Sequence, residues 1–162
     1  MKQTIYFLFF ILMFSACSKN DISGDYIETL IGINYIDKEG NDLLNPEAEN
    51  AINTENIDIY YLKDGEKVRV CDYLMEIPEN YYVNYSETHD KYYLVVFMSE
   101  YMNEENISET YIDFGEWEDT IRCQYHVVDS GNFWYERVWY NGEKKIHEDN
   151  YCYQSSFEII IQ

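Results

Sequence analysis

Apolar and polar residues alternate along most of this chain. Ile27, Thr29, Ile31, Ile33 and Tyr35 interleave with Glu28, Leu30, Gly32 and Asn34. A period of two predicts a strand with one buried face. Ile57, Ile59 and Tyr61 alternate with Asp58 and Tyr60, and Asp64-Gly65 follows as a tight hairpin turn. The return strand is expected from about Glu66 to Asp72. Tyr92 to Met98 is apolar on both faces, which predicts a central strand covered on both sides. Thr110 to Phe114 reads as a shorter strand. Ile121, Cys123, Tyr125 and Val127 oppose Thr120, Arg122, Gln124 and His126, the clearest alternation in the chain. Phe133 to Tyr140 leads into Asn141-Gly142, the preferred two-residue hairpin turn, so Glu143 to His147 should return alongside. Phe157, Ile159 and Ile161 predict a last strand. Asp37 to Asn56 is rich in turn residues, and Asn45 as cap with Pro46 behind it predicts one short helical turn. No segment sustains a helical period.

Eight or nine short strands joined by hairpin turns point to an all-β protein. The expected architecture is a two-sheet, immunoglobulin-like β-sandwich of about eight strands. The Cys-Trp-Cys pattern of a true immunoglobulin domain is missing, so the likeness is architectural. The alternative is a closed, lipocalin-like β-barrel, which would enclose a ligand cavity.

The N-terminus carries an address. Met1-Lys2-Gln3-Thr4 is short and positive, Ile5 to Phe14 is uncharged and apolar, and two small residues precede Cys17. These are the parts of a secretory signal, and the run is too short to span a bilayer, which takes about 20 apolar residues. Phe14-Ser15-Ala16-Cys17 resembles the bacterial lipobox, in which the cysteine is lipidated and becomes the first mature residue. The resulting division is a signal peptide over 1–16, a lipidated Cys17 with a polar tether over 17–25, and a single β-sandwich domain over 26–162. Several acyl chains hold stably where one holds weakly, because each buried CH2 adds about 0.8 kcal/mol.

Three stretches together resemble a wider group: the lipobox, "DKEGNDLLNP" (37–46), and "DTIRCQYHV" followed by "RVWYNGE" (119–127 and 137–143). They are similar to small lipoproteins of Bacteroidetes-type bacteria, a family of unknown function. The resemblance implies an outer-membrane lipoprotein with a β-sandwich, on the periplasmic face or the cell surface. It brings no catalytic residues to carry over.

Charge narrows the partners. There are 31 Asp and Glu against 11 Lys and Arg, a net charge of −20. Phosphate backbones are repelled, which excludes nucleic-acid binding as a reading. Anionic lipid is repelled too, so the anchor must do the holding. A cationic partner fits the charge, although acidity also serves solubility alone. Aromatic residues make up 18 % of the chain, which excludes disorder for most of it. Besides Cys17, the cysteines are Cys71, Cys123 and Cys152, an odd set that allows at most one intramolecular disulfide. Three free thiols packed as small hydrophobes are the other reading.

Candidate chemistry is sparse. Cys123 and His126 are three apart, and on a strand that spacing points them to opposite faces, away from a shared metal. Asp37, Glu39, Asn41 and Asp42 crowd one turn and form a candidate calcium site, but the spacing departs from an EF-hand loop. The alternative is an Asx-type turn whose side chains bond their own backbone. No G-x-S-x-G and no phosphate-binding glycine loop occurs, so neither an enzyme nor a cofactor is expected. Trp117, in the loop "GEWED", is the single best candidate for an exposed aromatic. Strict alternation along 133–140 places Trp134 and Tyr140 together on one face, opposite Phe133, Tyr135 and Trp139. Trp117, Trp134 and Tyr140 are therefore the candidate ligand-binding residues, through ring stacking on glycan. The alternative is that these rings fill a thin sandwich core. Asp119-Thr120-Ile121 resembles a short bacterial O-glycosylation motif, with Thr120 as acceptor pointing outward if Ile121 points in.

The expected function is thus a non-catalytic, membrane-anchored binding or accessory module of the cell envelope that contacts glycan or protein. The alternatives are an acidic inhibitor or immunity-type lipoprotein holding a basic protein, and a lipocalin-like carrier of a small ligand.

Overall fold

The computed structural model describes residues 27–128, 131–146 and 156–161. The segments expected as signal peptide and tether, with Cys17, and also His147 and Cys152, lie outside the described residues.

The fold is an all-β sandwich of two sheets, one of which curls into a half-barrel. The strands are β1 (Ile27–Glu28), β2 (Leu30–Ile36), β3 (Asp58–Lys63), β4 (Glu66–Arg69), β5 (Tyr81–Ser86), β6 (Lys91–Phe97), β7 (Ile107–Asp113), β8 (Glu118–Val127), β9 (Phe133–Tyr140), β10 (Glu143–Ile146) and β11 (Ser156–Ile160). The larger sheet runs β1-β9-β8-β7-β3-β4, with β10 also on β9; the smaller runs β11-β2-β6-β5. The sheets do not join into a closed barrel among the described residues, so the lipocalin-like alternative is set aside.

The core is the set of inward positions that the alternation marks. Ile31, Ile33 and Tyr35 on β2 face Ile59 on β3, Ile112 on β7, Ile121 and Cys123 on β8, and Val138 on β9, all within 1 % of complete burial. Removing this much apolar surface from water is the main stabilising term, about 25 cal/mol per Å². The two turns predicted from Asp64-Gly65 and Asn141-Gly142 both form, with positive φ at all four residues (52°, 84°, 47° and 83°). Paired positive φ matches the right-handed twist of the flanking strands.

Three expectations need correction. The run 27–35 is not one strand. It breaks at Thr29, so that β1 joins β9 in the larger sheet and β2 joins β6 in the smaller. The Thr29 carbonyl instead accepts from Met98 N at 2.7 Å. Asn45 caps a turn by accepting from Glu47 N at 3.0 Å, but no helix follows; a 3-10 turn forms instead at Thr54–Asn56, capped by Asn53. Finally, β6 is central as expected, with Leu94 and Val96 fully buried, but Tyr93, Val95 and Phe97 on its other face are only half-covered. With the extra break and the additional strand β5, eleven strands are described.

Candidate functional site

Strand β8 organises the site. Its period of two sends Asp119, Ile121, Cys123 and Tyr125 inward and Thr120, Arg122, Gln124 and His126 outward. Asp119 sits at the end of the sandwich, 4 % exposed. Its Oδ1 accepts from Asn141 Nδ2 at 2.8 Å, and its Oδ2 accepts from Trp117 Nε1 at 3.2 Å and from the Tyr35 hydroxyl at 3.4 Å. The Tyr140 hydroxyl in turn donates to the Tyr35 oxygen at 3.4 Å. Burial raises both phenols well above the usual tyrosine range, and the Asp119 carboxylate adds to the rise. The phenols therefore stay protonated as donors at neutral pH.

This network holds Trp117 still. The indole stacks on Phe114 with centroids 4.5 Å apart and planes 14° apart, and its N–H is committed to Asp119. Trp117 is accordingly half-buried rather than exposed. It lines a cleft of about 700 Å³ together with Asp119, Tyr140, Asn141, Glu143, Lys145, Glu158 and Ile159 to Ile161. Lys145 pairs with Glu143 at 2.9 Å, and Glu158 pairs with Lys91 at 2.5 Å. The cleft thus combines one oriented ring, an apolar wall, and carboxylates at its rim.

Two of the three candidate ligand-binding residues, Trp117 and Tyr140, converge on this cleft, and Trp134 does not. The reason is a β-bulge. Gln124 pairs with Arg137 but Tyr125 pairs with Tyr135, so Glu136 is an extra residue on β9. Beyond the bulge the faces exchange. Tyr135, Val138 and Tyr140 point inward, while Trp134, Arg137 and Trp139 point outward. The expected Trp134/Tyr140 row is replaced by an outward Trp134/Trp139 pair.

Three of the outward rings already carry a cationic or stacking partner. His126 stacks on Trp134 at 4.6 Å, Arg122 lies over Trp139 at 5.5 Å, and Lys67 lies over Tyr111 at 3.7 Å. These pairs are cation–π or stacking contacts that compete with a sugar for the same ring face. His126 Nδ1 also lies 2.8 Å from Glu136 Oε1.

The remaining candidates resolve individually. Asp37 Oδ1 accepts from Glu39 N at 2.9 Å and Asn41 N at 2.8 Å, and its Oδ2 accepts from Asn41 Nδ2 at 2.7 Å. Asp42 accepts from Leu44 N at 3.0 Å and Tyr92 N at 2.8 Å. Asp37 is spent on its own turn, as in the Asx alternative, whereas Asp42 divides its oxygens between that turn and the β6 backbone. The bonds from Asn41 lower the Asp37 pKa below the usual carboxylate value. Among the described residues no group of three His, Cys, Asp or Glu is placed to hold a metal ion. Cys71 and Cys123 are free thiols, and burial pushes Cys123 up to about 12. Thr120 points outward and is half-buried while Ile121 is fully buried. No helix among the described residues is long and apolar enough to cross a membrane.

One feature of the surface gave no signal in the alternation: the loop from β4 to β5 carries Tyr73, Leu74 and Met75 with most of their surface in solvent. In comparisons with protein-family models, curated proteins and solved structures, nothing matches this chain.

Proposed function

We propose that this chain is a lipid-anchored, non-catalytic binding module of the cell envelope, and that it takes a neutral carbohydrate in the Trp117 cleft. The observation that carries the reading is the clamped indole. Trp117 is fixed by Phe114 on one side and by Asp119 at its N–H, at the wall of a cleft rimmed with hydrogen-bonding groups. A ring held in place loses little further entropy when a sugar stacks on it.

Charge chooses among sugars. Lys145 and Lys91 offset Glu143 and Glu158, and among the described residues the partners of Asp119 are neutral donors. The cleft is left acidic, which favours neutral sugars and disfavours uronic acids. The same network argues for binding over hydrolysis. A glycosidase needs two carboxyl groups free to move protons or attack, whereas both oxygens of Asp119 already accept from fixed donors.

Calorimetric titration with soluble neutral oligosaccharides tests the reading. Binding by the native chain is expected, with at least a tenfold loss in Trp117→Ala and little change in Trp134→Ala. Equal binding by Trp117→Ala, or no binding of any neutral oligosaccharide, would overturn it. The anchor is tested separately: Cys17→Ser should move the protein from the membrane pellet to the soluble fraction and abolish palmitate labelling.

A further inference from the structure

A second surface, sharing no residue with the Trp117 cleft, carries an independent inference. The segment 71–80 crosses from β4 in the larger sheet to β5 in the smaller. Its tip presents Tyr73, Leu74 and Met75 to solvent, at 83 %, 95 % and 60 % exposure. Three consecutive large apolar side chains this exposed are costly to leave in water unless something covers them.

The tip is not a loose end. Asp72 N donates to the Pro78 carbonyl at 2.8 Å and closes the loop at its base. Asp72 then caps the turn, accepting from Leu74 N through Oδ1 and from Met75 N through its carbonyl, both at 3.0 Å. At the far end Asn80 donates to the Tyr61 hydroxyl at 2.9 Å and accepts from Phe97 N at 2.9 Å. The apolar tip is therefore built in a fixed shape, which lowers the ordering cost of docking.

The loop also walls a cleft of about 730 Å³, in which Met75 and Ile77 face Phe97, Met98 and Tyr101. Glu76 and Glu100 are the charged residues lining it, and one cation stands beside it, Lys63, whose ammonium lies 4.5 Å over the Tyr101 ring. Asp72 and Glu79 add two more carboxylates along the loop. The surface is an apolar centre inside an acidic rim. An anionic membrane is repelled by that rim and by the net charge of −20. A second copy would set the same acidic rim against itself. The complementary occupant is a protein surface with an apolar contact flanked by Lys or Arg.

We propose that the Tyr73–Met75 tip and the Met75/Phe97/Tyr101 cleft form a docking site for a basic protein partner. The test is photo-crosslinking in the chain's own cells, with p-benzoylphenylalanine at position 74 of the full-length protein and, as a control, at position 87. The expected result is a discrete protein adduct from position 74 alone. Its crosslinked segment should map by mass spectrometry to an apolar residue flanked by Lys or Arg. The adduct yield should fall at least fivefold in Glu76→Gln/Glu100→Gln, with the thermal midpoint of that variant not lowered, because both side chains are exposed. Adducts with lipid or with a second copy, a protein adduct indifferent to the two Gln changes, or no adduct would each overturn the proposal.

Discussion

Asp119 receives hydrogen bonds from Trp117 beside β8, from Tyr35 on β2 and from Asn141 in the β9–β10 turn. One side chain thus ties the two sheets together and fixes the indole of the proposed site. Asp119→Ala leaves the buried Tyr35 hydroxyl and the half-buried Trp117 N–H without this acceptor, and a cost of about 2 kcal/mol is expected. Urea unfolding measures it; a loss below about 0.5 kcal/mol would show that the network is incidental. A second residue, Cys123, makes an alkaline prediction. Folded, it keeps its proton to about pH 12, whereas an unfolded thiol releases it near about 8.5. The unfolded state binds fewer protons across that window, so stability falls as pH rises through it. Buried Tyr35, Tyr125 and Tyr140 are shifted the same way and extend the loss above pH 10. The urea midpoint should drop between pH 8 and pH 10.5. Iodoacetamide at pH 8 should label Cys71 and spare Cys123 until the chain unfolds.

At the scale of elements, what could be read in the sequence follows the period of two. Strand β8, both hairpin turns and the final strand stand where the alternation places them. Strand β5 was not legible, because Tyr81, Tyr82 and Tyr85 put large apolar rings on both faces and erase the period. The bulge at Glu136 was not legible either. One inserted residue changes no composition, yet it turns Tyr140 inward and Trp139 outward. For the same reason the Trp117–Tyr140 pairing depends on a register that only the folded sheet supplies. The exposed tip was hidden differently: an apolar triplet reads by default as core, and its exposure arises because its flanking strands belong to different sheets. Asn141 is the element-scale test. It adopts φ of 47°, accepts from Thr120 N at 2.8 Å and donates to Asp119. Asn141→Ala should cost about 2 kcal/mol in urea unfolding and should weaken oligosaccharide binding with it. Loss of stability with binding intact would separate the turn from the site.

Across the whole molecule, a net charge of −20 sits on a folded domain whose cations are largely paired or laid over rings. Self-repulsion at this level destabilises the compact state and is screened by salt. Raising NaCl from 10 to 500 mM should therefore raise the thermal midpoint by about 3 °C or more; a fall would mean that the surface ion pairs, such as Lys67–Glu118 at 2.5 Å, outweigh the repulsion. The same charge makes the two proposed surfaces chemically distinct. The Trp117 cleft offers a fixed ring to an uncharged ligand, and the Tyr73–Met75 tip offers an apolar contact to a cationic protein.

The most direct test of the central claim is an NMR titration that follows the indole N–H signals of Trp117, Trp134 and Trp139. The Trp117 signal is assigned by its loss in Trp117→Phe, and the titrants are neutral oligosaccharides with a uronic-acid oligosaccharide as control. The account predicts a saturable shift of the Trp117 signal with a neutral sugar, and little movement of the other two or with the uronic acid. A Trp117 signal that stays fixed with every neutral sugar, while the signals of Trp134 and Trp139 move, would contradict it.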